Sequence, residues 1–336
     1  MSAGVTAGTA APPPWIAAQT QALLAQRGHA WLLAGPSGLG QYQLALALVR
    51  AWLCEHPSGQ GACGQCTSCH AVDVRAHADL CVLMPETVML ALNWPLGEKA
   101  QDEIDSKKRK PSKEIRVDAM REAVEFAQRT SARGRGKAVL VFPAERMNVY
   151  TANALLKTLE EPAGHVKFVL ASDAAHQLLP TIRSRCLGHT MRWPDPPAAL
   201  AWLQAQGLSA SQASVSLRAA GGRPQDALEF AAVSAVWPRL PRAVQLGDVS
   251  VFKDWSAAQT VDALHKLCHD LMAQLSGAAP RFFEAADLPK VGNWSALTQW
   301  AKSLSNTMRT VEHPFNLGLM QEALVSQAQL ALNSKP

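Results

Sequence analysis

The stretch GPSGLGQYQLALALV, Gly35 to Val49, decides how the rest of the chain is read. Its glycines have the spacing of a phosphate-binding loop, in which backbone N–H groups and a helix N-terminus cradle phosphates. Such a loop also needs a lysine for the β- and γ-phosphates, then a Ser or Thr hydroxyl for Mg²⁺. Here those two positions hold Gln41 and Tyr42. Gly35, Gly38 and Gly40 keep the turn, Gln41 brings no charge, and the Tyr42 ring carries its hydroxyl too far out to replace a short side chain. The turn survives without its electrostatics, and no ATP is expected to bind this chain.

Outward from that loop the chain alternates strands and helices. Trp31 to Ala34 is a short apolar run before the turn, and a helical pattern follows from about Gln43 to Cys54. ADLCVLMP from Ala78, AVLVF from Ala138 to Phe142, and VKFVLAS from Val166 to Ser172 read as further strands. Between them, VDAMREAVEFAQR places Met120, Val124 and Ala127 at helical spacing, and ANALLKTLEE is a helix closed by Pro162. Strands alternating with helices imply a parallel sheet covered on both faces. Where ATPases of this architecture place metal-binding acids after the strand, AVLVF is followed by Pro143 and Ala144. Glu145 reads as a solvated helix-start residue. The site is therefore expected to be non-hydrolytic.

The segment CEHPSGQGACGQCTSCH gives Cys54, Cys63, Cys66 and Cys69, spaced C-x8-C-x2-C-x2-C. Four thiolates at that spacing suit a tetrahedral structural zinc site. CTSCH also matches the C-x-x-C-H pattern of haem attachment, which would leave Cys54 and Cys63 unexplained. An iron–sulfur cluster of the ferredoxin type needs a further Cys and Pro that Ala71 onward does not offer. Cys81, Cys186 and Cys268 read as core thiols. Residues 85 to about 113 read as an insertion ending in the charge block DSKKRKPSK, taken as a solvated loop.

Composition sets the outer limits. The chain has 336 residues, 48% hydrophobic and 18% charged, enough for two or three domains with sizeable cores. A net charge of +5, from 32 basic and 27 acidic residues, permits nucleic-acid contact without arguing for it. The longest apolar run, LALALV, is far short of the roughly 20 residues a membrane span needs. The opening MSAGVTAGTAAPPP lacks the basic and apolar regions of a secretory signal. A cytoplasmic protein with residues 1–14 disordered is expected.

LLPTIRSRC places Arg183 and Arg185 after the last strand read above. Pro194, Pro196 and Pro197 mark a linker, and no strand is read beyond them. A small helical unit covers Leu200 to about Phe230. From about Val236 the chain is helical again, with Val261, Leu264, Leu267, Leu271 and Leu275 on one helix face.

GPSGLGQ, the four-cysteine insertion, VDAMREAV, ANALLKTLEEP and LLPTIRSRC occur in that order. Together they resemble the AAA+ clamp-loader family of bacterial DNA polymerase III, most strongly over residues 15 to 190. AAGGRPQDAL and HPFNLGLMQEAL extend the likeness more weakly. The degenerate loop is similar to the delta-prime members rather than the ATP-hydrolysing tau/gamma members.

The resemblance implies an α/β AAA+ core over 15–193, with a zinc module at 54–70. An all-α three-helix lid (194–238) and an all-α collar for ring assembly (239–336) would follow. It implies Ser184-Arg185-Cys186 as a motif whose Arg185 acts in trans on ATP held by an adjacent tau/gamma subunit. Delta, the sliding clamp and primer-template DNA would be further partners. Gln225 falls where ATPase relatives carry a phosphate-sensing arginine, with Arg223 nearby, and Ser172-Asp173 falls where they place Thr-Asn. Two other classes remain open on the residues alone. An active AAA+ motor requires Lys and Thr at 41 and 42, and a zinc-dependent nucleic-acid-binding protein requires basic residues around the cysteines.

Overall fold

The computed structural model describes residues 12–311, 313 and 315–334. The N-terminal stretch expected to be disordered lies outside the described residues as far as residue 11. From Pro14 the chain is already helical, so that expectation is corrected for its last residue. The chain divides into two compact units, Met1–Pro194 and Asp195–Pro336.

The first unit holds a five-stranded parallel sheet in the order β2-β3-β4-β1-β5. In chain order its elements are α1 (Pro14–Leu24), β1 (Ala30–Ala34), α2 (Gln41–Leu53), α3 (Thr67–Asp73), β2 (Leu80–Leu83), α4 (Glu86–Ala91) and α5 (Glu98–Asp105). Then come α6 (Val117–Gln128), β3 (Lys137–Val141), α7 (Val149–Glu160), β4 (Val166–Ser172), α8 (Pro180–Arg183) and β5 (Leu187–Thr190). β3 is buried along its whole length and β4 nearly so, which is why their sequences are apolar runs rather than alternations. A Val or Leu sealed in this way contributes about 1.5–3 kcal/mol. The register is continuous: Leu32 pairs with Leu170 on one side and Gly188 on the other.

Three expectations change. The last strand is β5, absent from the sequence reading, so Arg183 and Arg185 precede it rather than follow the sheet. Residues 85–113 end in a charge block whose Lys107, Lys108, Lys110 and Lys113 are exposed as expected, but they are not loop throughout. They form α4 and α5, joined by Arg109, whose Nη2 donates to Glu86 Oε1 at 2.7 Å and whose Nε donates to Glu103 Oε2 at 2.7 Å. On α6 the fully buried residues are Met120, Ala123 and Ala127, with Val124 half-buried.

The second unit is all helix: α9 (Pro196–Ala205), α10 (Ala210–Ala219), α11 (Pro224–Phe230), α12 (Leu240–Leu246), α13 (Ala257–Leu275), α14 (Trp294–Thr310) and α15 (Leu317–Leu332). It has two apolar cores. Ala199, Leu203, Ala213 and Ala227 knit α9 to α11. Val261, Leu264, Leu267 and Leu271 of α13 pack on Leu297, Trp300, Leu324 and Val325, with Leu275 half-buried beside them. Ser209 and Ser256 start α10 and α13 with reciprocal capping boxes, which satisfy N–H groups the first turn would leave unpaired. Asp270, buried on α13, accepts from the backbone N–H of Arg281, Phe282 and Phe283 at 2.9, 2.6 and 2.8 Å and so pins the following loop.

Among the described residues no helix is long and apolar enough to cross a membrane.

Candidate functional site

The glycine turn sits at the carboxyl end of β1, where open α/β sheets place ligands. Gly40 starts α2 with φ of 99°, a left-handed geometry that glycine adopts without strain. The Gln41 side chain is buried and folds back, its Nε2 donating to the Gly35 carbonyl at 2.8 Å and the Pro36 carbonyl at 2.7 Å. Met191 presses from below: a Cβ on Gly35 would lie 2.8 Å from Met191 Cβ. Trp15 Nε1 donates to the Leu39 carbonyl at 3.3 Å and fastens the turn from α1.

Tyr42 points inward rather than toward a metal position. Its hydroxyl accepts from Trp94 Nε1 at 2.7 Å, its ring lies 5.4 Å from that of Phe142, and burial raises its pKa. Trp94 belongs to the insertion, so a residue of the degenerate loop has become a packing anchor for that segment.

Glu145 is not the solvated residue expected. It is half-buried just after β3, accepting from Ser172 Oγ at 2.7 Å and from the Asp173 N–H at 3.2 Å. Both carboxylate oxygens are thus committed to the end of β4. Gln225 lies in the first turn of α11, while Arg223 caps that helix and pairs with Asp226 at 2.9 Å.

The four cysteines converge. Their sulfur atoms all lie within 4.8 Å of one another, with Cys54–Cys66 at 3.8 Å and Cys63–Cys69 at 4.0 Å. A tetrahedron with metal–sulfur bonds of about 2.3 Å has edges of about 3.8 Å, so the group fits such an ion. The Cys63 N–H donates to Cys54 Sγ at 3.3 Å and the Cys69 N–H to Cys66 Sγ at 3.4 Å, the outer contacts that thiolate ligands need. Burial raises Cys54 and Cys69. N–H donors lower Cys63, and they outweigh burial at Cys66, which comes down to about 6. Cys66 also caps α3, a helix the sequence reading missed. Glu55 braces the module, accepting from Thr67 Oγ1 at 2.6 Å and Ser68 N at 3.1 Å. His70 is exposed. Burial pushes Cys81 and Cys268 up to about 12 and Cys186 up to about 11, which leaves them as un-ionised thiols.

Arg185 stands between α8 and β5. Its guanidinium pairs with Glu160 at the end of α7, and its Nη1 donates to the Thr181 carbonyl at 2.9 Å. Ser184 is exposed beside it, and Cys186 packs against the sheet core. Because β5 runs parallel to β1, Arg185 lies at the amino end of the sheet and the glycine turn at the carboxyl end. Four paired positions separate them, roughly 13 Å at about 3.3 Å per residue. Arg185 therefore does not face its own chain's glycine turn. It borders an open recess of about 240 Å³ lined by Arg27, His29 and Leu187.

With this geometry in place, the chain can be compared with known proteins. It is 40% identical over 179 residues to the DNA polymerase III subunit delta-prime of Pseudomonas aeruginosa, covering 53% of this chain and 48% of that one. It is 33% identical over 221 residues to the Escherichia coli delta-prime subunit, covering 64% and 59%. The family model described as DNA polymerase III, delta subunit, matches residues 16–193, more than half of the chain. The chain belongs to the DNA polymerase III delta-prime family. Its matches span about half the length of those curated relatives. A more distant match to the Escherichia coli tau subunit, 33% identical over 159 residues, covers 47% of this delta-prime family member and 21% of tau.

Proposed function

We propose that this chain is an AAA+ clamp-loader subunit that holds no ATP of its own and supplies Arg185 to the ATP site of an adjacent tau/gamma-type subunit. The observation that carries the first half is the uncharged Gln41 amide, folded back on the turn and bonded to both the Gly35 and Pro36 carbonyls. A lysine 4 Å from a phosphate charge contributes about 4 kcal/mol at an effective dielectric of 20, roughly a thousandfold in affinity. This loop lacks that contribution, the metal-binding hydroxyl and the acidic strand end. The second half rests on the position of Arg185 at the sheet end remote from its own loop. From there a guanidinium is available to another subunit's γ-phosphate, where known arginine fingers accelerate hydrolysis by about 10³ or more.

The remaining architecture follows the same reading. The three helices α9–α11 form the lid and α12–α15 the collar through which the ring assembles. Delta, tau/gamma, the sliding clamp and primer-template DNA are reached through that ring. Cys54, Cys63, Cys66 and Cys69 would hold a structural zinc ion. Four thiolates complete its coordination and leave no position for a substrate. The glycine turn, left without phosphates, serves as packing between α1, the sheet and the insertion.

Calorimetric titration of the isolated chain with Mg-ATP tests this. No heat of binding into the millimolar range is expected. Tight, magnesium-dependent binding would sink the proposal and make an active motor subunit the better reading.

A further inference from the structure

We infer that Glu160 is the positioning residue for Arg185, an assignment that rests on the trans role proposed for that arginine. Arg185 Nε and Nη2 both donate to Glu160 Oε1, and Nη1 donates to the Thr181 carbonyl. Every guanidinium nitrogen is thus engaged by one chain. Of its five N–H groups, three are used, and one remains on each terminal nitrogen. Two such N–H groups match a phosphate edge, where bidentate recognition adds geometric specificity to charge. The pair is within a neighbour's reach, with the Arg185 side chain 28% exposed and that of Glu160 46% exposed.

The placement of Glu160 carries its own argument. It is the last residue of α7, where the helix dipole disfavours a negative charge. A carboxylate there is stabilised by a cationic partner, and Arg185 pairs with it. α7 and α8 together then act as a jig: the carboxylate fixes the guanidinium plane and the Thr181 carbonyl fixes its rotation. An arginine held in this way loses little side-chain freedom when it meets phosphate, so its interaction goes into the transition state rather than into ordering.

The test uses the chain assembled in its clamp-loader ring and reads steady-state ATP turnover. Glu160→Gln keeps the shape and removes the charge. It is expected to lower kcat roughly tenfold with KM for ATP within about twofold, the pattern of a lost transition-state contact. Glu160→Asp should recover part of that loss. In the double variant with Arg185→Ala, turnover should equal that of Arg185→Ala alone, since Glu160 acts only through the arginine. A double variant that falls in proportion below Arg185→Ala would overturn the inference. So would a Glu160→Gln ring with unchanged or raised kcat, a rise meaning that the carboxylate holds the arginine back. If Arg185→Ala itself leaves turnover intact, the trans reading fails and this inference falls with it. A loss in Arg185→Ala without one in Glu160→Gln removes the inference alone.

Discussion

Replacing Gln41 by alanine puts the closed loop to a quantitative test. The amide makes two hydrogen bonds, to the Gly35 and Pro36 carbonyls, and the residue is 2% exposed. Each bond contributes about 1 kcal/mol net, and the carbonyls left without that donor add a further desolvation cost. A loss of about 2–3 kcal/mol follows. For a unit of this size 1 kcal/mol corresponds to about 2–4 °C, so the transition of the N-terminal unit should fall by roughly 5–10 °C in scanning calorimetry of the full chain. Chemistry fixes the order of variants. Gln41→Lys keeps a donor and should lose less than Gln41→Ala. Gln41→Glu turns an acceptor toward two carbonyls and should lose more. Gln41→Lys should still bind no Mg-ATP, because Tyr42 stays tied to Trp94 and no acidic side chain is added. An unchanged transition in Gln41→Ala, or a glutamate variant as stable as the native chain, would refute the closed-loop account.

Two other expectations concern the surrounding modules. Arg109→Ala should loosen the insertion by about 2–4 kcal/mol, because buried Glu86 loses its hydrogen-bonded cation and keeps only Arg116, at 3.6 Å. Arg109 is the main reason the Glu86 carboxyl titrates below its ordinary value of 4.5. The Glu86 contribution is therefore full above that value and is lost as pH falls through the lower folded value. The stability gap between native chain and Arg109→Ala, followed by denaturant melts across the acid range, should shrink toward low pH. A gap that widens on acidification contradicts the assignment. Elemental analysis of the purified chain should find one zinc per molecule, and Cys63→Ser with Cys66→Ser should find none and open residues 54–70 to protease. A metal-free native chain would remove zinc from the account.

The parts of the fold visible in the sequence share one cause. β1, β3 and β4 are buried on both faces, so burial alone writes them as apolar runs between turn residues. β5 does not follow that rule. Its residues Leu187, Gly188 and Thr190 are exposed, and only its pairing with β1, from Trp31–Leu187 to Ala34–Thr190, makes it a strand. Missing it displaced Arg185 in the sequence reading, since the direction of β5 is what sends the arginine to the sheet end away from the glycine turn. α3 was hidden for another reason: its first turn is set by the Cys66 cap within the thiol group rather than by periodicity. The lysines of the charge block are exposed as read, and Arg109 departs from that reading, because its partners lie 23 and 6 residues away.

At the candidate site the sequence revealed which residues were missing but not what replaced them. The absent lysine is plain at Gln41, yet nothing local says that its amide turns into the loop. Tyr42 reads as an unsuitable metal ligand, and only the fold shows it hydrogen-bonded to Trp94, 52 residues on. The four cysteines were legible because metal-ligand spacing is short-range. Glu160 was quoted within its motif and given no role, because its partner Arg185 is 25 residues distant.

The central claim is that this chain acts on a neighbour's ATP through Arg185. The most direct measurement compares ATP turnover of the assembled clamp-loader ring carrying the native chain with that of a ring carrying Arg185→Ala, after confirming equal assembly by sedimentation. The account predicts a fall in kcat of about 10³ at the site Arg185 serves, with the Mg-ATP affinity of the ring nearly unchanged. Full turnover in an intact Arg185→Ala ring would contradict it.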